Sequence, residues 1–332
     1  MDWPLPIRIL LWPLSWVYGI VVQYKALLYE KGAFHRQRLK GAVVSVGNLT
    51  VGGTGKTPMV LWLAEKFLTR GKSVAILSRG YRGAGASSDE VELLRRRLGD
   101  RVRFGIGANR FAKGSELERK SPVDVFLLDD GFQHLKLARD LDVVMLDGSR
   151  KLKTEWLLPA GPLREPVRAC ARADLLVVTR KFEQPTIEAH DSHEYQIFYA
   201  QTRLLGFRKS QVAGDISYLS EIGPGPFFAF CGIGNPQAFL DDLKRWHVAV
   251  AASREFRDHH KYAQADLDAI ESAATALGAK ALVTTEKDEQ NLRGSFHRLP
   301  LYVAVIDFVL GSESEFEATM DRILRERRGG AW

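Results

Sequence analysis

The residues from Thr50 to Pro58 read TVGGTGKTP, and their types and spacing are suited to holding phosphate. A phosphate-binding loop follows G-x-x-x-x-G-K-[ST] between a strand and a helix. Gly55, Lys56 and Thr57 supply the end of that pattern, while Thr50 stands at the first glycine position. The pair Gly52-Gly53 compensates, as in the GGxGK[ST] variant of the loop. Glycine lets successive backbone N–H groups turn inward around phosphate oxygens, and a helix N-terminus adds partial positive charge. Gly52, Gly53, Thr54, Gly55, Lys56, Thr57 and Pro58 are therefore expected to cradle ATP. Lys56 neutralises the β- and γ-phosphates, and the Thr57 hydroxyl is offered to Mg²⁺. Pro58 is tolerated because N–H groups in a first helical turn have no intrahelical partner. The competing reading is a chance glycine-rich turn.

A magnesium partner is expected at the end of a nearby strand. Asp129 and Asp130 directly follow the apolar run VDVFLL and precede GFQH. A carboxylate there holds Mg²⁺ directly or through water. Alternatively, the two acids cap the turn into GFQH.

These groups need a scaffold. The runs AVVSV (42–46), SVAIL (73–77), VDVFLL (123–128), LDVVML (141–146) and DLLVV (174–178) read as buried strands. The first of them leads into the phosphate loop, and PMVLWLAEKFLTRG reads as the helix beyond it, stopping at Gly71. Alternating strands and helices imply a mostly parallel α/β sheet with right-handed crossovers. The stretch 183–222 is polar and irregular, with YQIFYA (195–200) as a candidate edge strand. The α/β pattern then resumes in FFAFCGIGNPQAFLDDLKRW, KALVTTEKD and LYVAVIDFVL, before a last helix, ESEFEATMDRILRERR. The expected organisation is an N-terminal segment (1–40), a P-loop domain (41–224) and a smaller C-terminal α/β domain with a terminal helix (225–332).

The 332 residues carry a net charge of +7, which suits nucleic acid, anionic lipid or a phosphorylated substrate without choosing among them. Two cysteines, with no CxxC and no Cys/His cluster, argue against a structural zinc site or a disulfide framework. The segment from Ile9 to Tyr24 has no charged residue and contains Trp12, Trp16, Tyr18 and Tyr24. It is shorter than the ~20 residues of a spanning helix. No A-x-A-like cleavage site follows it, which argues against a removed signal peptide. Lys25, Lys31, Arg36, Arg38 and Lys40 follow it, against the single acid Glu30. Aromatic residues beside a basic stretch suit an interfacial helix on an anionic leaflet. The alternative is a hydrophobic helix docked on its own core.

SVGNLTVGGTGKTP, LSRGYRG, LDDGFQH, LLPAGPLREP, FRDHHKY and TTEKD occur in this order over most of the chain. Together they closely resemble the tetraacyldisaccharide 4'-kinases, the lipid A 4'-kinases of Gram-negative envelopes. The resemblance implies a P-loop NTPase-like sheet flanked by helices, a smaller C-terminal domain, and a cleft between them that closes. It implies ATP-dependent phosphorylation of the 4'-hydroxyl of an acylated glucosamine disaccharide 1-phosphate, forming lipid IVA with Mg²⁺ at the cytoplasmic face of the inner membrane. A peripheral monomer that binds no nucleic acid is expected. Such a lipid substrate accounts for an interfacial helix, because a four-chain lipid does not easily leave the bilayer.

The resemblance also points to an Asp–His pair: His259 of FRDHHKY and Asp89 of SSDEVELL. Ser88 and Val91 replace the Gly and Pro that flank the family's aspartate, and Asp258 is a second candidate partner. With Asp89 in the first domain and His259 in the second, only domain closure is expected to assemble them. Arg110 matches a family arginine expected near the transferring phosphate, and Arg164 of LREP is assigned similar work. Asn48, Arg79, Tyr81, Arg82, His134 and Arg164 are expected to meet the substrate, with Gln133 supporting the metal. Thr284 to Asp288 either help hold the nucleotide or cap a helix. The competing functions are a soluble P-loop kinase or ligase for a small metabolite, and a membrane-associated ATPase switch. The switch is weakened by Val51, which stands where such proteins carry a lysine before the glycine pair.

Overall fold

The computed structural model describes residues 3–80, 89–180, 196–210 and 216–329. Tyr81 and Arg82 lie outside the described residues. In chain order the elements are α1 (Leu5–Glu30), β1 (Ala42–Asn48), α2 (Lys56–Thr69), β2 (Val74–Ser78), α3 (Asp89–Leu98), β3 (Val102–Ile106), α4 (Arg110–Lys120), β4 (Val125–Asp129), β5 (Leu141–Asp147), β6 (Leu175–Thr179) and β7 (Gln196–Lys209). They continue as α5 (Leu219–Ile222), β8 (Phe227–Cys231), α6 (Pro236–Arg245), β9 (Val250–Glu255), α7 (Gln264–Ala276), β10 (Ala281–Thr285), α8 (Glu286–Glu289), β11 (Leu301–Leu310) and α9 (Glu313–Arg328).

The chain divides into two compact units, one of Met1–Ser87, Leu94–Gln201 and Val309–Trp332, the other of Ser88–Leu93 and Thr202–Phe308. In the first unit the strand order is β3-β2-β4-β1-β5-β6-β7, and every pair between neighbours is parallel. β1, β2, β4, β5 and β6 are buried along their whole length. Their β-branched runs therefore fill a sheet covered on both faces. β1 lies between β4 and β5, while β2 lies beyond β4. The order thus reverses at β1, and in such sheets the C-terminal end of the reversing strand opens onto a ligand crevice. The phosphate loop leaves β1 at that end.

Two segments are grouped otherwise than the 41–224 and 225–332 split expects. The last helix, α9, belongs to the first unit. Its Glu317 and Asp321 pair with Lys66 and Arg70 of α2 at 2.5–3.0 Å, and Phe316 packs edge-on against Trp62 and Phe198. The start of α3, with Asp89 and Glu90, belongs to the second unit.

The second unit orders its strands β11-β10-β8-β9, again with parallel pairs, beside the second half of β7. One apolar cluster centres on Phe207, Phe227, Leu243 and Val283, another on Phe230, Tyr262, Leu267 and Leu282. β7 runs for 14 residues, so YQIFYA is the start of a long strand rather than a short edge piece. β3 and β9 had no clear sequence signal. Each sits last in its order and carries charged or exposed positions, so neither shows a continuous apolar run.

α1 is longer than the uncharged run Ile9–Tyr24. It has 26 residues, because Arg8 and Lys25 continue the helix, and by length and composition it is sufficient to cross a membrane. Only Ser15 and Gly19 are buried. Ser15 Oγ donates to Leu157 O (2.9 Å) and accepts from Ala160 N (3.0 Å), and Tyr18 Oη donates to Arg164 O (2.9 Å). The opposite face leaves Leu10, Trp12, Leu14, Trp16 and Val21 exposed.

Candidate active site

In the first unit the absence of a glycine at Thr50 has a local cause. Val51 N donates to Pro162 O (2.8 Å), Arg164 N donates to Leu49 O (2.7 Å), and Thr50 pairs with Leu163. The first half of the loop is thus held as a short extended ladder, where a side chain costs nothing. The turn itself falls on Gly52 and Gly55, at φ 114° and 85°, values that disfavour any residue with a Cβ. Gly55 caps α2, which places Lys56 and Thr57 in its first turn.

Asn48, expected to meet substrate, is fully buried and braces the loop. Its amide donates to Thr54 Oγ1 (2.9 Å), and its carbonyl accepts from the Arg164 guanidinium. Arg164 also grips Asp130 through two bonds of 2.8 Å, a bidentate pair. Lys56 Nζ lies 3.6 Å from the same carboxylate. Burial would raise the Asp130 pKa, but Lys56, Arg164 and Arg110 outweigh it and bring it down to about 2. Asp129, buried at the end of β4, accepts a long bond from Ser78 Oγ (3.4 Å).

Arg110 opens α4 and is buried. Its guanidinium donates to His134 Nδ1 (3.2 Å) and, more weakly, to Asp129 O (3.5 Å). Burial, followed by the Arg110 charge, pushes the His134 imidazole down to about 4. His134 is therefore neutral at physiological pH, with its proton on Nε2. Gln133 donates to Asn48 O and to Glu165 (each 3.0 Å). Its buried Oε1 has no hydrogen-bond partner among the described residues. Arg79 follows β2 and is exposed.

In the second unit, Asp89 Oδ2 lies 2.8 Å from His259 Nδ1. Asp89, expected in the first domain, is grouped with His259 in one unit. His259 Nε2 is 3.7 Å from Asp258 and 4.0 Å from Glu90. Lys287 lies 3.0 Å from Glu90 and 3.4 Å from Asp258. The bond to Asp89, with help from Asp258 and Glu90, raises the His259 pKa above 6.5 against burial and the Lys287 charge. Asp258 is thus a neighbour of Nε2, and Asp89 is the carboxylate that orients the ring. In TTEKD, Thr285 caps α8 by accepting from Asp288 N (3.1 Å). The buried Asp288 accepts from Gly232 N (2.7 Å) and Tyr262 Oη (2.8 Å).

Residues 7–325 match the LpxK family, tetraacyldisaccharide-1-P 4'-kinase. The chain belongs to this family. Tetraacyldisaccharide 4'-kinase of Geobacter metallireducens is 36% identical over 341 residues, covering 94% of this chain and 96% of that protein. The protein of the same name from Syntrophobacter fumaroxidans is 36% identical over 322 residues, covering 90% and 84%. LpxK from Aquifex aeolicus, crystallised in complex with ATP, superposes with a TM-score of 0.74 at 29% identity, covering 96% of this chain and 99% of that one.

Two residues beside the loop of this LpxK-family chain escaped sequence reasoning. Thr179 Oγ1 donates to Thr54 O (3.3 Å), and Arg180 donates to Gly53 O (3.3 Å) and Asp147 (3.2 Å). Arg180 holds φ 55°, which is uncommon outside glycine. The only hint was position, at the end of a parallel strand beside the loop. Arg180→Ala is expected to weaken ATP binding about tenfold, the worth of a hydrogen bond to a charged group at roughly 1.5 kcal/mol. Equilibrium titration with ATP is the check, and an unchanged Kd in a folded variant removes Arg180 from loop support.

Proposed function

We propose that this chain transfers the γ-phosphoryl group of ATP to the 4'-hydroxyl of an acylated glucosamine disaccharide 1-phosphate at the cytoplasmic face of the inner membrane. The observation that carries the reading is a histidine, His259, oriented by Asp89, in a chain that also holds a phosphate loop with Lys56 beside Asp130. Residues Gly52 to Pro58 bind the phosphates, and Lys56, Arg110 and Arg164 supply positive charge. His259 takes the proton of the sugar hydroxyl through Nε2. As it does so, the hydroxyl oxygen bonds to the γ-phosphorus, the bond to the β,γ-bridging oxygen breaks, and ADP leaves. Arg79, Tyr81, Arg82 and His134 are assigned to the sugar and its 1-phosphate.

The donor set fits magnesium. Thr57, Asp129, Asp130 and the unpartnered Gln133 Oε1 are hard oxygen donors. Bound there, Mg²⁺ would neutralise charge on the phosphate oxygens. Incubation with γ-labelled ATP and the acylated disaccharide 1-phosphate is expected to yield a labelled lipid. Labelling of a small soluble acceptor in its place would overturn the reading.

The membrane part of the proposal rests on α1. Its middle is bonded to the body of its unit through Ser15 and Tyr18, so it suits lying in the interface better than spanning. Trp12 and Trp16, 56% and 62% exposed, are then seated in lipid. The exposed Lys25, Lys31, Arg36 and Lys40 then meet anionic headgroups, with Arg38, paired to Asp140 at 3.0 Å, beside them. Trp12→Glu with Trp16→Glu is expected to weaken binding to phosphatidylglycerol vesicles by at least about 100-fold, since each large apolar side chain buried is worth about 1.5–3 kcal/mol. Both side chains are exposed, so the fold should persist. Undiminished vesicle flotation would count against the interfacial helix.

A further inference from the structure

We propose that Asn291 is a positioning residue that locks the Asp89 carboxylate onto His259. Asn291 is 4% exposed and lies one residue beyond Gln290, the C-cap of α8. Its backbone is tied on both sides: its N–H donates to Asp288 O (2.9 Å), and its carbonyl accepts from Tyr262 N (3.0 Å). Asp288 and Tyr262 are bonded to each other, Asp288 takes Gly232 N, and Gly232 O accepts from His259 N (3.0 Å). The backbones of Asn291 and His259 therefore hang from one buried node.

From that node the Asn291 amide reaches Asp89 Oδ2 at 2.8 Å, the same oxygen that meets His259 Nδ1 at 2.8 Å. Asp89 opens α3, and one bond to an imidazole leaves a short carboxylate free to turn about its side-chain torsions. A second donor from another segment removes that freedom. With Asp89 fixed, Nδ1 carries the proton and Nε2 keeps the lone pair. Among the described residues, Glu90, Asp258 and Lys287 are charged groups near the ring, and Asn291 is the second donor at Oδ2. Asparagine suits the position because it donates without adding charge. Lysine would compete for Asp89 as an ion pair, and an acid would repel it.

The inference rests on reading His259 as the proton acceptor, and its test separates the two. The His259 side chain is titrated by NMR in the full chain without substrate, in wild type, Asn291→Ala and Asn291→Leu. Leucine keeps the volume but not the donor, so if one variant melts below the working temperature the other carries the test. The His259 pKa is expected to fall toward 6.5 as its contact with Asp89 loosens. kcat is expected to fall by up to about 100-fold, as for a misplaced catalytic group, with KM for ATP unchanged. In a His259→Ala background the Asn291 change is expected to cost nothing further. An unmoved His259 pKa, or an equal loss in that background, would overturn the positioning role. An inactive wild type would sink the kinase reading, while the titration would still decide what Asn291 does.

Discussion

Lys56→Ala is expected to lower kcat by at least about 100- to 1,000-fold, the range for removing one preorganised donor from developing charge. The melting curve should hardly move. Lys56 sits in the first turn of α2 and reaches Asp130 at 3.6 Å, a pair worth about 0–1 kcal/mol when partly exposed. Asp130 keeps its two bonds to Arg164. The loop is held by Asn48, Thr179 and the ladder to residues 162–164, none of which uses Lys56. In the proposed mechanism the charge of Lys56 acts on phosphate, which is absent from the folding reaction. With its pKa near 2, Asp130 is ionised throughout the usual assay range and does not shape the pH profile. Its contribution to stability is present above the unfolded carboxyl value and lost only as pH falls toward 2. Kinetics in parallel with thermal melts are the check. A well-folded Lys56→Ala with an unchanged rate would remove the phosphate loop from the mechanism.

What was legible in the sequence follows a physical division. β1, β2, β4, β5 and β6 announced themselves because a strand buried on both faces is an unbroken apolar run. The loop was legible because phosphate needs glycine torsions and a lysine within one short segment. Thr50 looked like a defect only because its partner, residues 162–164, is remote in sequence. The same distance hid Thr179 and Arg180 at the loop and Asn291 at Asp89. Each acts through a tertiary hydrogen bond that leaves no local period or composition. The burial of Asn48 was hidden for a related reason. A polar residue at the end of β1 reads as a ligand contact until its burial is known. The placement of α9 turned on Phe316 and on acids facing Lys66 and Arg70, and sequence order said nothing of those.

His259→Ala and Asp89→Ala are expected to act as one device. Each should lower kcat by about 100- to 10,000-fold, the worth of a positioned general base, with KM for ATP little changed. After His259→Ala, the further change Asp89→Ala should cost little, because a carboxylate that orients an imidazole has nothing left to orient. The pH dependence gives an independent sign. His259 accepts a proton only when neutral, and its pKa is raised above 6.5 chiefly by Asp89. The rate should therefore climb through a midpoint above 6.5, and Asp89→Asn should move that midpoint down. Stability runs the other way. A raised pKa means the charged pair stabilises the fold fully below the unfolded histidine value and ceases to do so as pH rises through the folded value. His259→Ala should thus cost stability in acid and rate in alkali, a separation that no purely structural histidine produces. The competing account makes Asp89 only the acid at the start of α3, worth about 0.3–1 kcal/mol against the helix dipole. A double-mutant cycle in kcat/KM across pH, with melts alongside, decides between them. Strictly additive losses, or a near-wild-type rate for Asp89→Ala, would take Asp89 out of the chemistry and leave His259 with Asp258, 3.7 Å from its Nε2, as its nearest remaining acid.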